Sequence, residues 1–243
     1  MTSLFDSYSL RGVTLRNRIG VSPMCEYSAE EGMPGDWHLV HLGSRAVGGA
    51  GLVMTEATAV EARGRISPQD AGIWSDAHIE PWARITRFVK SQGAVAGIQL
   101  AHAGRKASTI RPWDEGVSLA DAEGGWEPVA PSALAFDDGY RLPHALTRDE
   151  IAQIVQSFAD AARRSDAAGF DWLELHGAHG YLMHEFLSPL SNTRTDDYGG
   201  EFENRIRFTV EITHAVWPER KPLAIRFSCT DWKEGGWTLE ETV

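Results

Sequence analysis

The chain has 243 residues, of which 42% are hydrophobic and 23% charged, and its 34 acidic and 23 basic side chains give a net charge of −11 at pH 7. This composition is typical of a globular domain, and the acidic balance argues against nucleic acid as a partner, since phosphate binding needs a basic surface. No apolar run reaches the roughly 18 residues that span a bilayer, and the N-terminus lacks the basic start and apolar core of a secretory signal. Two cysteines, Cys25 and Cys229, cannot form a disulfide framework, so we expect a cytoplasmic protein without membrane contact.

Short apolar runs and longer segments with helical spacing alternate along the chain. A short run closed by polar residues predicts a buried strand, and a segment that starts at a capping residue and stops at glycine predicts a helix. The predicted strands are 19–24, 51–57, 94–100, 172–176 and 223–227, and the predicted helices start at Asp36, Asp76, the capping box 147–150, Phe202 and Thr238. Five strand–helix repeats whose strands are apolar on both faces predict a parallel sheet wrapped by helices.

The ends of the predicted strands favour one kind of parallel sheet. Polar residues stand at successive carboxyl ends, and chemistry converging from many strand ends is how a (β/α)8 TIM barrel builds its site. These residues are Cys25, Glu56, Gln99, His176 and Arg226. No Gly-x-Gly-x-x-Gly follows a strand, which argues against a Rossmann fold. About five of eight units fit, so we expect one α/β domain, 1–243, that is an incomplete TIM barrel at its C-terminus, with 106–146 as a lid-like excursion after strand three.

The densest group of chemistry-bearing residues follows the fourth predicted strand, where His176, His179 and Tyr181 stand within six positions. Three interpretations are open. Two imidazoles can donate hydrogen bonds to one carbonyl oxygen while a phenol protonates the neighbouring carbon. A His-x-x-His pair can also ligate zinc or iron, and histidines can simply cap a strand end. No further ligand motif such as His-Glu-x-x-His supports a metal, so substrate binding is the preferred interpretation over metal binding.

Other strand-end residues are candidates for a cofactor site. Cys25 is a nucleophile, a residue that tunes a cofactor, or a small buried side chain. Gln99 offers a donor and an acceptor to a heterocyclic edge, and Arg226 is a permanent cation that needs a carboxylate or an anionic cofactor. For both, an internal network of salt bridges and amides is the alternative. We expect His38 and His41, three apart on a helix, to belong to an amphipathic face rather than to bind a ligand.

Four stretches of the chain closely resemble the old yellow enzyme family of FMN-dependent ene-reductases. They are 15–19 with 23–25, then 99–106, 174–182, and 194–200 with 203–205. The resemblance extends over 4–243, and the part 176–205 is highly specific. Cys25, Tyr27 and the segment 72–76 are similar to the subclass that contains NADPH dehydrogenase A and xenobiotic reductase A.

The resemblance implies a TIM barrel that binds FMN and takes hydride from NADPH or NADH. The flavin ring would be lined by Ser22, Pro23, Met24, Cys25 and Ala57, with Gln99 at its pyrimidine edge and Arg226 beside N1 and O2. His176 and His179 would bind the acceptor oxygen, Tyr181 would protonate the α-carbon, and Tyr27 would line the substrate pocket. A ping-pong cycle would reduce activated C=C bonds of small-molecule enones or nitro compounds.

The resemblance also leaves alternatives. Family members continue through three further strand–helix units, whose loops hold the FMN phosphate, and full-length members are expected to be homo-oligomers. The chain is therefore either the N-terminal part of such an enzyme or a non-catalytic barrel fragment that does not retain FMN. A third interpretation, from another class, is a metal-dependent barrel hydrolase that uses His176 and His179.

Overall fold

The computed structural model of the chain describes residues 3–217 and 221–243. Its strands are β1 (Tyr8–Leu10), β2 (Val13–Leu15), β3 (Gly20–Val21), β4 (Leu52–Ala59), β5 (Val95–Ala101), β6 (Val129–Ala130), β7 (His144–Ala145), β8 (Trp172–Gly177) and β9 (Leu223–Phe227). Five of them form the central sheet in the order β3-β4-β5-β8-β9, and all four pairings are parallel. With the helices that connect them, these strands form part of a (β/α)8 TIM barrel, as the sequence predicts.

The register of this sheet brings polar strand ends together. Gln99 of β5 lies opposite Glu174 of β8, and His176 of β8 lies opposite Arg226 of β9. Because the strands are parallel, their carboxyl ends open on one face of the barrel. Residues that stand far apart in the sequence therefore meet at this face.

The helices of the described chain are α1 (Asp36–Val47), α2 (Ile79–Ser91), α3 (Arg148–Ala167), α4 (Leu182–Leu187), α5 (Phe202–Arg205), α6 (Arg207–Val216) and α7 (Leu239–Thr242). Helix α3 starts at the predicted capping box. The Thr147 hydroxyl accepts from the Glu150 amide at 3.3 Å, and the Glu150 carboxylate accepts from the Thr147 amide at 2.8 Å. Within the described ranges, no helix combines the length and the apolar character that crossing a membrane requires.

The core lies between the sheet and its covering helices. Trp82 of α2, Phe158 of α3 and Phe170 before β8 are buried. The Trp82 and Phe170 rings meet edge to face, with centroids 5.7 Å apart. The Trp82 indole donates to the Gly72 carbonyl at 3.0 Å, so its one polar atom is satisfied and the ring can be buried at little cost.

The start of α2 differs from the prediction. A short 3-10 turn, Asp76–His78, precedes the helix, and Ser75 caps this turn, since its hydroxyl accepts from the Ala77 amide at 3.3 Å. Helix α2 itself follows at Ile79 with no side-chain cap, and the Asp76 carboxylate pairs with Arg164 of α3 at 2.7 Å.

Four further features of the structure differ from the prediction. The predicted helix from 202 to 217 is divided at Ile206 into α5 and α6. The hairpin of β1 and β2 and the short helix α4 had no signal in the sequence pattern. The excursion 106–146 also has structure of its own, since β6 pairs in parallel with β7. Its function as a lid stays a prediction.

Candidate active site

The turn after β8 brings His176, His179 and Tyr181 together. The His176 ring centroid lies 5.0 Å from the centroids of both His179 and Tyr181. His179 and Gly180 take φ angles of +60° and +71°, which turn the chain sharply as it leaves the strand. The His179 amide donates to Ser228 Oγ at 3.0 Å. The three side chains that the sequence groups by spacing are therefore neighbours in space.

The pKa values of both imidazoles are lowered. His176 is only 4% exposed, and burial, followed by the neighbouring His179 and the cation Arg226, lowers its pKa to about 3. His179 is exposed, and partial desolvation of its ring, followed by the cation Arg226, lowers its pKa as well. His176 Nδ1 is buried and has no hydrogen-bond partner among the described residues. Such an atom is costly, which makes Nδ1 a position where a ligand atom would complete the site.

Tyr181 is a protonated phenol in the same turn. Burial, reinforced by the neighbouring Cys25 and Tyr27, raises the pKa of Tyr181 far above its ordinary value. Lys106 Nζ lies 5.2 Å from the Tyr181 ring centroid and donates to the His179 carbonyl at 3.1 Å. The phenol therefore holds its proton at neutral pH and is able to deliver it to a substrate atom.

Residues 25–27, which we name the Cys25–Tyr27 loop, follow β3. Tyr27 takes a φ of +49°, a left-handed conformation that bulky residues rarely adopt. Burial, followed by the negative charges of Asp70 and Glu56, raises the pKa of the Cys25 thiol, and burial raises the pKa of Tyr27. Because a thiol is a poor nucleophile compared with a thiolate, this environment argues against the nucleophile interpretation of Cys25.

Gln99 and Arg226 differ in whether other side chains supply their hydrogen-bond or ion-pair partners. Gln99 is 1% exposed, and its Nε2 donates to Glu174 Oε1 at 2.7 Å. Its carbonyl oxygen is therefore the end of the amide left for a ligand. Arg226 lies within electrostatic range of Glu174 but has no carboxylate within ion-pair distance in the ranges that the structure describes. The alternative role predicted for these two residues was an internal network of salt bridges and amides. Gln99 does take part in such a network through Glu174, whereas Arg226 forms no ion pair in the described ranges.

The other predicted cofactor residues are distributed over a cleft and the adjoining strand. A cleft of about 380 Å³ is lined by Ser22, Pro23 and Arg226, among others. Met24 is 46% exposed, whereas Ala57 is buried within β4. The structure therefore brings Ser22, Pro23 and Arg226 to one cavity and leaves Met24 at the surface.

A second cavity, of about 260 Å³, adjoins the phenols. It is lined by Tyr27, Tyr181 and Lys106 together with residues of the excursion 106–146, Tyr140 among them. Trp113 of the excursion contacts Tyr27 edge to face, with ring centroids 5.4 Å apart. The excursion thus walls the space beside the two phenols, which supports its proposed function as a lid.

His38 and His41 do more than the predicted amphipathic face requires. His38 Nε2 lies 2.9 Å from Glu56 Oε1, and both side chains are buried. His41 Nε2 lies 2.8 Å from Glu26 Oε1. The helical spacing could not reveal these partners, because both carboxylates lie outside the helix. Throughout the described ranges, no three His, Cys, Asp or Glu side chains are grouped so that they could hold a metal ion.

Two residues of the site were missed by reasoning from the sequence. Lys106 ends one of the stretches that carry the family resemblance, so that stretch could have indicated it. Glu174 is adjacent to Gln99 only through strand register, which the sequence does not show.

Comparison with known proteins places this geometry in a family. The model of the NADH:flavin oxidoreductase / NADH oxidase family matches residues 3–243. NADH:flavin oxidoreductase FG08077 of Gibberella zeae is 49% identical over 99% of this chain, and an NADPH dehydrogenase of Bacillus cytotoxicus is 49% identical over all of it. The chain spans 62% and 66% of the lengths of these two relatives.

A solved structure gives the same result at the level of the fold. The old yellow enzyme homologue from Zymomonas mobilis superimposes with a TM-score of 0.84 at 33% identity, over 99% of this chain and 67% of that one. Sequence and fold therefore agree: the chain belongs to the NADH:flavin oxidoreductase / NADH oxidase family, that of the old yellow enzymes.

Proposed function

We propose that this chain forms the catalytic face of an FMN-dependent NAD(P)H oxidoreductase. Its acceptors would be small molecules with an activated C=C bond, namely enones or nitro compounds. The observation that carries the proposal is the turn after β8. There the His176 ring, whose Nδ1 has no hydrogen-bond partner within the described ranges, lies close to a second imidazole and a protonated phenol, with ring centroids 5.0 to 6.5 Å apart. The name NADPH dehydrogenase of the Bacillus relative supports the same activity. A cytoplasmic location and a homo-oligomeric assembly stay predictions.

The residues at the strand ends fit a flavin ring. Arg226 is a permanent cation without an ion pair in the described ranges, which suits the N1–O2 side of a flavin, where negative charge accumulates on reduction. Gln99 keeps a carbonyl oxygen to accept from a ring N–H. The ring would be lined further by Ser22, Pro23, Met24, Cys25 and Ala57.

When bound, FMN supplies hydride transfer between a nicotinamide, NADPH or NADH, and an activated C=C bond. The chain's own residues act on the acceptor. His176 and His179 each donate one N–H to its carbonyl or nitro oxygen, where negative charge develops as the double bond is reduced. A neutral imidazole carries one N–H, so each ring has one hydrogen bond to donate to that oxygen.

Tyr181 completes the reaction by moving a proton. Its phenol, kept protonated by burial, is the donor to the α-carbon of the acceptor. Tyr27 lines the second cavity together with Tyr181 and limits the size of the acceptor that can enter.

An anaerobic titration tests the proposal. The purified chain, incubated with FMN and freed of unbound flavin, should remain yellow, lose its visible absorbance on addition of NADPH, and regain it on addition of cyclohexenone. Bound FMN that NADPH does not bleach would contradict the proposed activity. Loss of FMN on gel filtration would instead favour the non-catalytic fragment.

A further inference from the structure

A buried carboxylate lies behind the Cys25–Tyr27 loop. Glu56 of β4 is 3% exposed, and its two oxygens have different partners. Oε2 accepts from the Glu26 amide of the loop at 3.1 Å, while Oε1 lies 2.9 Å from His38 Nε2. The Gly35 amide donates to His38 Nδ1 at 3.0 Å, so the proton of this ring is on Nε2, and Nε2 donates to Glu56.

This arrangement requires two acceptors in one side chain. Both groups that face Glu56, the Glu26 amide and His38 Nε2, are N–H donors. A glutamine in place of Glu56 would present one oxygen and one NH2, and the NH2 would face a donor. His38 cannot relieve the conflict by moving its proton to Nδ1, because the Gly35 amide already occupies that nitrogen.

The side chain of Glu26 fixes the same loop from the other direction. Its Oε2 accepts from the Trp37 indole at 2.9 Å, and its Oε1 lies 2.8 Å from His41 Nε2. Trp37 and His41 both belong to α1, so the loop is bound to this helix by its side chain and to β4 by its backbone. Tyr27 holds a left-handed φ of +49° at the end of the loop, and such a conformation persists only where its surroundings impose it.

We propose that Glu56 and Glu26 are positioning residues that hold the Cys25–Tyr27 loop against the active site. Neither carboxylate is assigned a contact with substrate or cofactor; both act through the loop that presents the Cys25 thiol and the Tyr27 phenol. The relevance of this loop to catalysis rests on the proposed function. How firmly the loop is held in place, however, is a property of the chain alone and can be measured without FMN.

Alkylation of the two cysteines of the chain measures how readily the loop opens. Cys25 lies in the loop and is half-buried, whereas Cys229 is exposed and serves as an internal reference. Alkylation of each thiol by iodoacetamide is followed by mass spectrometry in low, sub-denaturing urea. Opening of the loop alone gives a Cys25 rate that does not depend on urea, whereas global unfolding gives a rate that rises with urea.

The main variant is Glu56→Gln. Because a buried donor left unsatisfied destabilises the closed loop, we expect alkylation of Cys25 to accelerate roughly tenfold, independently of urea. The rate of Cys229 should not change. The matched control is Glu61→Gln, because Glu61 also pairs with a buried histidine, His102, at 2.9 Å but makes no hydrogen bond to the loop.

A second variant removes a contact without changing a charge. Glu56→Gln takes away a negative charge that raises the pKa of Cys25, and this alone could accelerate alkylation. Trp37→Phe removes the indole N–H that binds Glu26 and shortens the ring without changing a charge, and because Trp37 is 59% exposed, the fold should tolerate it. We expect a smaller, urea-independent acceleration of Cys25 in this variant.

Three results would overturn the proposal: unchanged Cys25 rates in Trp37→Phe, equal acceleration in Glu61→Gln, or a Cys25 rate in Glu56→Gln that rises with urea as steeply as global unfolding. The anaerobic titration with NADPH is read separately. If the flavin does not bleach while the alkylation results hold, the proposed function fails and the positioning of the loop stands.

Discussion

Burial shifts the pKa values of His176 and Tyr181 in the turn after β8 in opposite directions. Removing a group from water disfavours its charged form, so the same cause lowers the pKa of His176 and raises that of Tyr181. The His176 ring is therefore a neutral hydrogen-bond donor, and the Tyr181 phenol keeps the proton that it donates in the reaction. The cation Arg226 adds to the effect on His176. The polarity of the site thus follows from where the strand ends and not from any single unusual residue.

Replacing Tyr181 by phenylalanine should separate the two halves of the reaction. The variant keeps the ring but has no proton to deliver, so reduction of cyclohexenone by the prereduced protein should slow by about 10²-fold or more. Reduction of the protein by NADPH needs no proton from this phenol and should keep its rate. Stopped-flow measurement of each half-reaction checks both statements, and equal slowing of the two would contradict the assignment.

The neutral state of His176 also predicts how stability depends on pH. The pKa of His176 is about 3 in the folded chain against an ordinary 6.5, so between these values the unfolded chain binds a proton that the folded chain does not. The free energy of unfolding should therefore fall as the pH is lowered through this window, with up to ~1.4 kcal/mol per pH unit coming from this residue.

Urea denaturation at a series of pH values measures this dependence. His176→Asn has no imidazole to protonate, so the fall in its free energy of unfolding between about pH 6.5 and about pH 4 should be shallower than that of the unmodified chain. Parallel curves for the two proteins would show that His176 is not buried as a neutral ring.

Among the elements, α3 shows most directly how sequence determines an end. Thr147 and Glu150 satisfy each other's backbone amides, and Thr147→Ala removes one of these bonds. The free energy of unfolding should decrease by about 1 kcal/mol. Ser157→Ala, in the middle of the same helix, is the control, since Ser157 only donates to the Gln153 carbonyl of its own helix. A larger loss from Ser157→Ala than from Thr147→Ala would contradict the importance of the cap.

The strands that the sequence predicted well are short runs rich in apolar residues. The run 223–227 coincides with β9, and 172–176 falls one residue short of β8, because such runs have clear ends where turn residues bound them. The hairpin of β1 and β2 was missed since each strand has only three residues, too few to show an alternation of apolar and polar positions. Helix α4 has six residues, all buried, so it shows no alternation of apolar and polar faces.

For the whole molecule, the sequence predicted which residues converge but not how they pair. Five parallel strands place their carboxyl ends on one face, and this placed Gln99, His176 and Arg226 together before any distance was known. The hydrogen bond from Gln99 to Glu174, 75 positions apart, depends on strand register. The bond between His38 and Glu56 depends on packing of α1 against β4. Neither has a signal in local spacing.

The most direct test of the account is the structure of the FMN-loaded protein with para-hydroxybenzaldehyde, whose phenolic oxygen resembles the oxygen of a polarised enone. We predict that this oxygen lies within about 3 Å of a ring nitrogen of both His176 and His179, with Tyr181 beside the bound ring. A ligand whose phenolic oxygen points to solvent, or a metal ion between the two imidazoles, would contradict it.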